Sequence, residues 1–244
     1  MHNVRIIFRR EFASFFATPL ALVFTIIFLV FTGVFTFFLR NFYRSGQADL
    51  QPFFVDHPWL FLFLMPALSM GLWSEERKSG TIELLMTLPI TLWQAVVGKF
   101  LAAWSFAGLT LLLTFPIWIT TNYLGDPDNG VIIAAYFGSF LMTGGFLAVG
   151  CCLSAASRSQ VIAFIFTVVA CFLLLLCGFT PLVNAMEGLL PQALVDAIAS
   201  LSFLTHFASI TKGVIDLRDL LYFGSLIAVS LAATAIVLDM KKAN

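Results

Sequence analysis

The residue types that carry chemistry are few in this chain and poorly arranged for catalysis. Its three histidines, His2, His57 and His206, fall in the N-terminal tail and two outer loops, without the spacing to carboxylates or to each other that holds a metal. Cys151, Cys152, Cys171 and Cys177 lie in apolar stretches with no paired C-x-x-C, and read as small packing residues rather than ligands or disulfides. No phosphate-cradling glycine loop and no G-x-S-x-G occurs. The expectation is a chain with no catalytic residue, no metal and no cofactor of its own.

One segment does ask for a partner. Residues 73 to 91 read W-S-E-E-R-K-S-G-T-I-E-L-L-M-T-L-P-I-T. Glu75, Glu76, Arg77 and Lys78 stand in a row, Gly80 stops the incoming helix, and Thr81 can cap a new one with Glu83 in its first turn. Pro89 then disfavours helix at Leu88. The product is a very short helix, from about Ile82 to Thr87, with Ile82, Leu85 and Met86 as its apolar side and Glu83 exposed. So short a helix is marginal alone and must dock, against its own bundle or against another protein.

The elements that position this segment lie in a membrane. The 244 residues are 60% apolar and 11% charged, with 28 phenylalanines against 13 basic and 13 acidic side chains. Soluble domains run at roughly 45–50% apolar and about 25% charged, and so few charges cannot cover one core. The apolar stretches exceed the roughly ten residues of a barrel strand and reach the roughly 20 that cross a bilayer as helix. The zero formal net charge excludes a nucleic-acid partner.

Uncharged apolar windows predict six spans: about Leu20 to Leu39, about Phe53 or Trp59 to Trp73, Leu92 to Tyr123, Val131 to Ala156, Val161 to Thr180, and Leu220 to Leu238. Six crossings leave both termini on one side. Arg5, Arg9, Arg10, Arg77, Lys78, Lys99, Arg158, Lys241 and Lys242 share that side, against Arg40, Arg44, Lys212 and Arg218 opposite. The excess of Lys and Arg makes the terminus side cytoplasmic. The first 19 residues lack the apolar run and small-residue site of a cleavable signal. Within them Val4, Ile7, Phe8, Phe12, Phe15 and Phe16 recur at helical spacing opposite Arg5, Arg9 and Arg10, the pattern of an interfacial amphipathic helix over residues 1–18. That helix is either a simple anchor or a lever packed against a partner.

The spans carry no Asp, Glu or His near the midplane, and Lys99 sits one or two turns into the third, within reach of the inner interface. An ion-coupled carrier needs such groups, and an intramembrane enzyme needs a Ser/His pair, paired carboxylates or a metal cluster. Neither is expected. The fourth span has small residues at 134/138, 139/143, 144/148 and 150/154, which serve packing within the chain or, alternatively, a dimer seam or translocation path.

Residues 75 to 90, E-E-R-K-S-G-T-I-E-L-L-M-T-L-P-I, resemble the cytoplasmic coupling-helix region of type-2 ABC transporter permeases. R-R-E-F-A-S-F-F-A-T-P at 9 to 19 is similar to that family's entrance helix, W-L-F-L-F-L-M-P-A-L at 59 to 68 to its second span, and W-Q-A-V-V-G-K-F at 93 to 100 to the start of its third. H-F-A-S-I-T-K-G-V-I-D-L-R-D-L-L-Y-F at 206 to 223 matches the stretch before its last span. The resemblance covers nearly the whole chain and is nearest to the gliding-motility-associated permeases and their relatives, with nitrous-oxide-reductase maturation permeases less close.

The resemblance implies a single permease domain over residues 1–244, in the bacterial cytoplasmic (inner) membrane with both termini inside. Two permease chains, identical or not, pair with two copies of an ABC ATPase subunit that binds ATP and Mg. Carried onto this sequence, Glu75, Glu76, Arg77, Lys78, Thr81 and Glu83 face the ATPase, and Ile82, Leu85 and Met86 fill its groove, within a coupling region spanning 74–91. Residues 181–219, cut by Pro181, Gly188 and Pro191, correspond to a re-entrant outer hairpin, with an external helical cap as the alternative. Asp216, Arg218 and Asp219 then mark the water line. The implied activity is ATP-driven movement, export above all, of a hydrophobic or amphipathic cargo in contact with membrane lipid. The competing expectation is a mechanotransmission or assembly subunit that drives an extracytoplasmic accessory protein while nothing crosses.

Overall fold

Among the residues described by the computed structural model, 2–40, 42–44, 49–82, 90–187 and 190–240, the chain is helical and has no β-strand. Helix α1 (His2–Ala17) meets α2 (Pro19–Val34) at Thr18, where Pro19 sits at the first helical position and its missing N–H costs nothing. The end of α2 opens into a π-helical turn, Phe35–Leu39. Three pieces follow: α3 (Gln51–Val55), α4 (His57–Ser69) and α5 (Gly71–Ser79). Then come α6 (Leu92–Leu112), α7 (Phe115–Leu124), α8 (Asn129–Ala156) and α9 (Gln160–Leu176). The chain continues through α10 (Thr180–Glu187), α11 (Gln192–Ala199), α12 (Phe203–Ile210) and α13 (Leu217–Met240).

Four stretches are long and apolar enough to cross a membrane: Ala21–Leu39, Leu92–Leu124, Asn129–Ala156 and Leu217–Met240. These agree with four of the six expected spans. Two bent pairs, Gln160–Leu176 with Thr180–Met186 at 61° and Gln192–Ala199 with Phe203–Ile210 at 73°, raise the number to six if each counts as one crossing. The expected second span is divided instead. Helix α4 has 13 residues, too few at about 1.5 Å each to cross alone, and α5 beyond Met70 carries four consecutive charges.

Helix α8 is the hub, packing against α4, α5, α6, α9, α12 and α13. Buried positions make up 67% of its apolar window, against 22% for Ala21–Leu39. Its small residues are what let neighbours in. A Cβ at Gly150 would collide with Ser69 Oγ of α4, so the stripe of small residues is used for packing within the chain. Trp104 of α6 lies flat on Phe140 of α8, ring centroids 4.5 Å apart, and donates its indole N–H to the Phe140 carbonyl at 2.8 Å. Asp128 caps α8, accepting from the amides of Gly130 and Val131.

Candidate coupling site

The end of the bundle that carries the N-terminus, the inner end on the charge expectation, is built where α1, α5 and α6 converge. Helix α6 starts with a capping box: Gln94 N donates to Thr91 Oγ1 at 3.4 Å and Thr91 N donates to Gln94 Oε1 at 3.2 Å. The same Gln94 oxygen accepts from Asn3 of α1 at 3.1 Å, which fixes where α1 lands. One turn on, Ile7 is buried over Gly98, where an added Cβ would stand 2.9 Å from Ile7 Cγ2. Phe15 and Phe16 reach Phe106 at 5.1 and 5.8 Å. The amphipathic stripe of α1 therefore docks on α6, while Arg5 and Arg9 remain exposed.

That docking brings Lys99 to a set of acidic groups. Its side chain is 3% exposed, and Nζ lies 2.9 Å from Glu76 Oε1, 3.4 Å from Glu11 Oε1 and 3.0 Å from the Leu72 carbonyl. One N–H of the ammonium is thus hydrogen-bonded to a carbonyl, and the charge itself is met by two carboxylates. Trp73 places its ring 5.1 Å from the same nitrogen. Arg10 closes the cluster with Nη2 at 2.5 Å from Glu11 Oε1 and 3.8 Å from Glu76 Oε1. The hydrogen bond that Arg10 donates to Glu11 holds its guanidinium further above its ordinary range, against partial burial. Two cations and two carboxylates make the cluster neutral, the condition under which buried charge is tolerated. Glu76 Oε2 is buried and accepts no hydrogen bond among the described residues, which leaves Lys99 as the main counter-charge of that carboxylate.

A second device holds the break between α4 and α5. Ser154 of α8 accepts from the amides of Trp73 and Ser74, both at 3.1 Å, and donates to the Met70 carbonyl at 2.7 Å. Trp73 is fully buried and donates its indole N–H toward Cys151 Sγ at 3.2 Å. Arg77 Nη1 donates to the Ala155 carbonyl at 2.7 Å, at the negative end of α8. Burial and the nearby Arg158 charge pull the Arg77 guanidinium below its ordinary range. Helix α5 is thus pinned on both sides before it ends.

It ends as the sequence requires, with Gly80 at φ +74°, the left-handed region where a side chain is strained. Thr81 is already helical, one position later than the cap expected there, and its hydroxyl is 2.9 Å from Ser79 Oγ. Ile82 packs against the core. Glu75, Lys78 and Thr81 are exposed, and Glu76 and Arg77 are half-buried. Glu83, Leu85 and Met86, with most of the short helix expected over 82–87, lie outside the described residues. A cavity of about 320 Å³ opens beside the cluster between Glu11, Ser14, Glu75, Thr81 and Gln160.

The structure thus gathers Glu76, Arg77 and Arg10 of the expected site around three residues that sequence reasoning left aside: Lys99, Glu11 and Ser154. Lys99 carried a signal, since a lysine inside an apolar span needs a carboxylate partner. The outer polar residues also differ from expectation. His57 begins α4 and is wholly buried, with Nδ1 2.9 Å from Ser139 Oγ. His206 lies in α12, and Asp219 is a buried partner of it rather than a water-line anchor. Among the described residues no group of His, Cys, Asp and Glu could hold a metal.

A search of curated proteins gives no match for this sequence. A family model described as ABC-2 family transporter protein matches residues 5–240. With nearly the whole chain matched and several helices fit to cross a bilayer, the protein belongs to the ABC-2 transporter family as a multi-pass membrane subunit.

Proposed function

We propose that this chain is the permease subunit of a type-2 ABC transporter in which residues 74–91 receive the stroke of a separate ATPase and α5 carries it into the membrane. The observation that supports this reading best is the Lys99 cluster. It ties the interfacial helix, the helix leading into residues 82–87 and a spanning helix into one neutral unit around the buried Lys99. A displacement of the coupling segment then moves α1 and α6 together with α5. Glu75, Lys78, Thr81 and Glu83 offer the polar contact to the ATPase, and Ile82, Leu85 and Met86 fill its groove. Arg5 and Arg9 face the inner leaflet.

In this reading two such chains, identical or paired with a homologue, meet two ATPase subunits that bind ATP and Mg, in a bacterial inner membrane with both termini inside. Helices α4 and α5 together make the second of six crossings, and residues 181–219 form a re-entrant hairpin over the exit. The cargo is hydrophobic or amphipathic, because the aromatic, charge-poor spans offer no hydrophilic pore, and by resemblance its movement is export. By its sequence resemblance we place the chain with the gliding-motility-associated permeases and their relatives.

The test is vanadate-sensitive ATP hydrolysis in nanodiscs by the chain co-purified with an ATPase encoded beside it. Glu83→Lys or Leu85→Asp is expected to leave the chain inserted and folded but to lose ATPase binding or stimulation, a cost of about 2–5 kcal/mol at the contact. Unchanged coupling in both variants would remove the assignment of this helix. ATP-dependent cargo movement in sealed vesicles then separates transport from pure mechanical transmission to an extracytoplasmic accessory protein.

A further inference from the structure

We propose that His206 and Asp219 form a proton-dependent clasp that fastens the turn between α11 and α12 to the base of α13 and releases it when the shared proton leaves. The inference is independent of cargo and of the ATPase. It rests on which atoms face each other. His206 Nε2 is 2.9 Å from the Ser200 carbonyl, which can only accept, so Nε2 carries a hydrogen. Nδ1 is 2.6 Å from Asp219 Oδ1, and a lone pair against a carboxylate at that distance is repulsive unless a proton lies between them. The pair therefore holds one proton more than a neutral imidazole and a carboxylate, whichever atom carries it. The second Asp219 oxygen accepts from the Ser209 hydroxyl.

The surroundings turn that proton into a mechanical condition. The two side chains are 6% and 7% exposed, so loss of the proton strands a negative charge beside a ring lone pair away from water. Tyr222 of α13 stacks on the His206 ring at 4.0 Å and donates its hydroxyl to the Leu201 carbonyl at 2.6 Å. Adjacent carbonyls of one turn, Ser200 and Leu201, are thus held by the stacked pair. From α13 the titratable groups facing His206 are Asp219 and Tyr222. Helix α9 brings Cys171 and Cys177 near Tyr222, and α11 brings the Ser200 carbonyl while its own Asp196 is engaged by Gln192. The α8 wall is apolar there, with Phe146 stacked on Phe203 at 4.4 Å and Gly138 against Ile210. That wall keeps α12 seated, whereas α11 buries only Val195 and is joined to α12 besides the clasp by Thr205 Oγ1, which donates to the Ala199 carbonyl at 2.8 Å.

Hydrogen exchange on the full-length chain in nanodiscs, corrected for intrinsic rates between about pH 5 and about pH 8, reads the clasp directly. Protection of residues 192–201 is expected to hold at acid pH and then fall by about tenfold per pH unit, the slope of one proton. Asp219→Asn supplies an amide N–H to Nδ1 and keeps Nε2 on Ser200, so the turn should stay protected with no slope. His206→Gln should lose protection at every pH while α8 remains protected. A flat wild-type profile, or a slope that survives in Asp219→Asn, overturns the clasp.

Discussion

At the inner end of the bundle Lys99 gathers Glu11 and Glu76 from two other helices, donates a hydrogen bond to the Leu72 carbonyl, and has a side chain only 3% exposed. At the outer end the ionic contacts are of another kind. Arg40 meets Asp56 through two hydrogen bonds, at 3.0 and 2.5 Å, but the arginine side chain is 43% exposed. His206 and Asp219 are buried but depend on a shared proton. Burial makes breaking the inner contacts expensive. The outer groups are either screened by water or switchable. One end is built to move as a unit, the other to let go.

The largest expected effect tests the inner end. Lys99→Met takes the close cation from Glu76 and leaves Glu11 to Arg10 alone, and is expected to lower stability by about 3–5 kcal/mol. Thermal unfolding of the purified chain would read that loss, and adding Glu76→Gln should recover part of it. A cost below about 1 kcal/mol for the single variant would erase the contrast between the two ends. Next in size is Ser154→Ala, which leaves the Trp73 and Ser74 amides and the Met70 carbonyl without the hydroxyl that joins them. The expected loss is about 1–3 kcal/mol. Exchange protection should fall first at the start of α5, and a uniform loss over α8 would show that the hydroxyl does not hold the break. The smallest effect belongs to Asp56→Asn. An ion pair whose arginine is this exposed should change stability by less than about 1 kcal/mol, and the change should shrink further in high salt. A salt-insensitive loss comparable to that of Lys99→Met would make the two ends alike.

Much of the fold was legible because a bilayer imposes a length and a polarity on each crossing. The runs through Ala21–Leu39, Leu92–Leu124, Asn129–Ala156 and Leu217–Met240 announce themselves, and so does the amphipathic stripe of α1. Gly80 at φ +74° was legible for the same local reason, since four charges followed by glycine end a helix. The second crossing was not, because a helix broken at Met70 is held together by a serine 81 residues from Trp73. Of the charged cluster, the sequence reading named Glu76 and Arg10. It missed Lys99 and Glu11 as members, and it placed His206 and Asp219 in water.

By itself the sequence determined that this chain lives in a membrane as helices and where its run of four charges ends a helix. These follow from composition and from patterns that repeat within a few residues. Only the tertiary structure decided which charges are shared. Whether a lysine, a histidine or an aspartate is solvated or paired depends on which distant helix packs against it, and helix packing here follows from close approaches such as Gly150 on Ser69 and Gly98 under Ile7. Such contacts join positions that no local period relates.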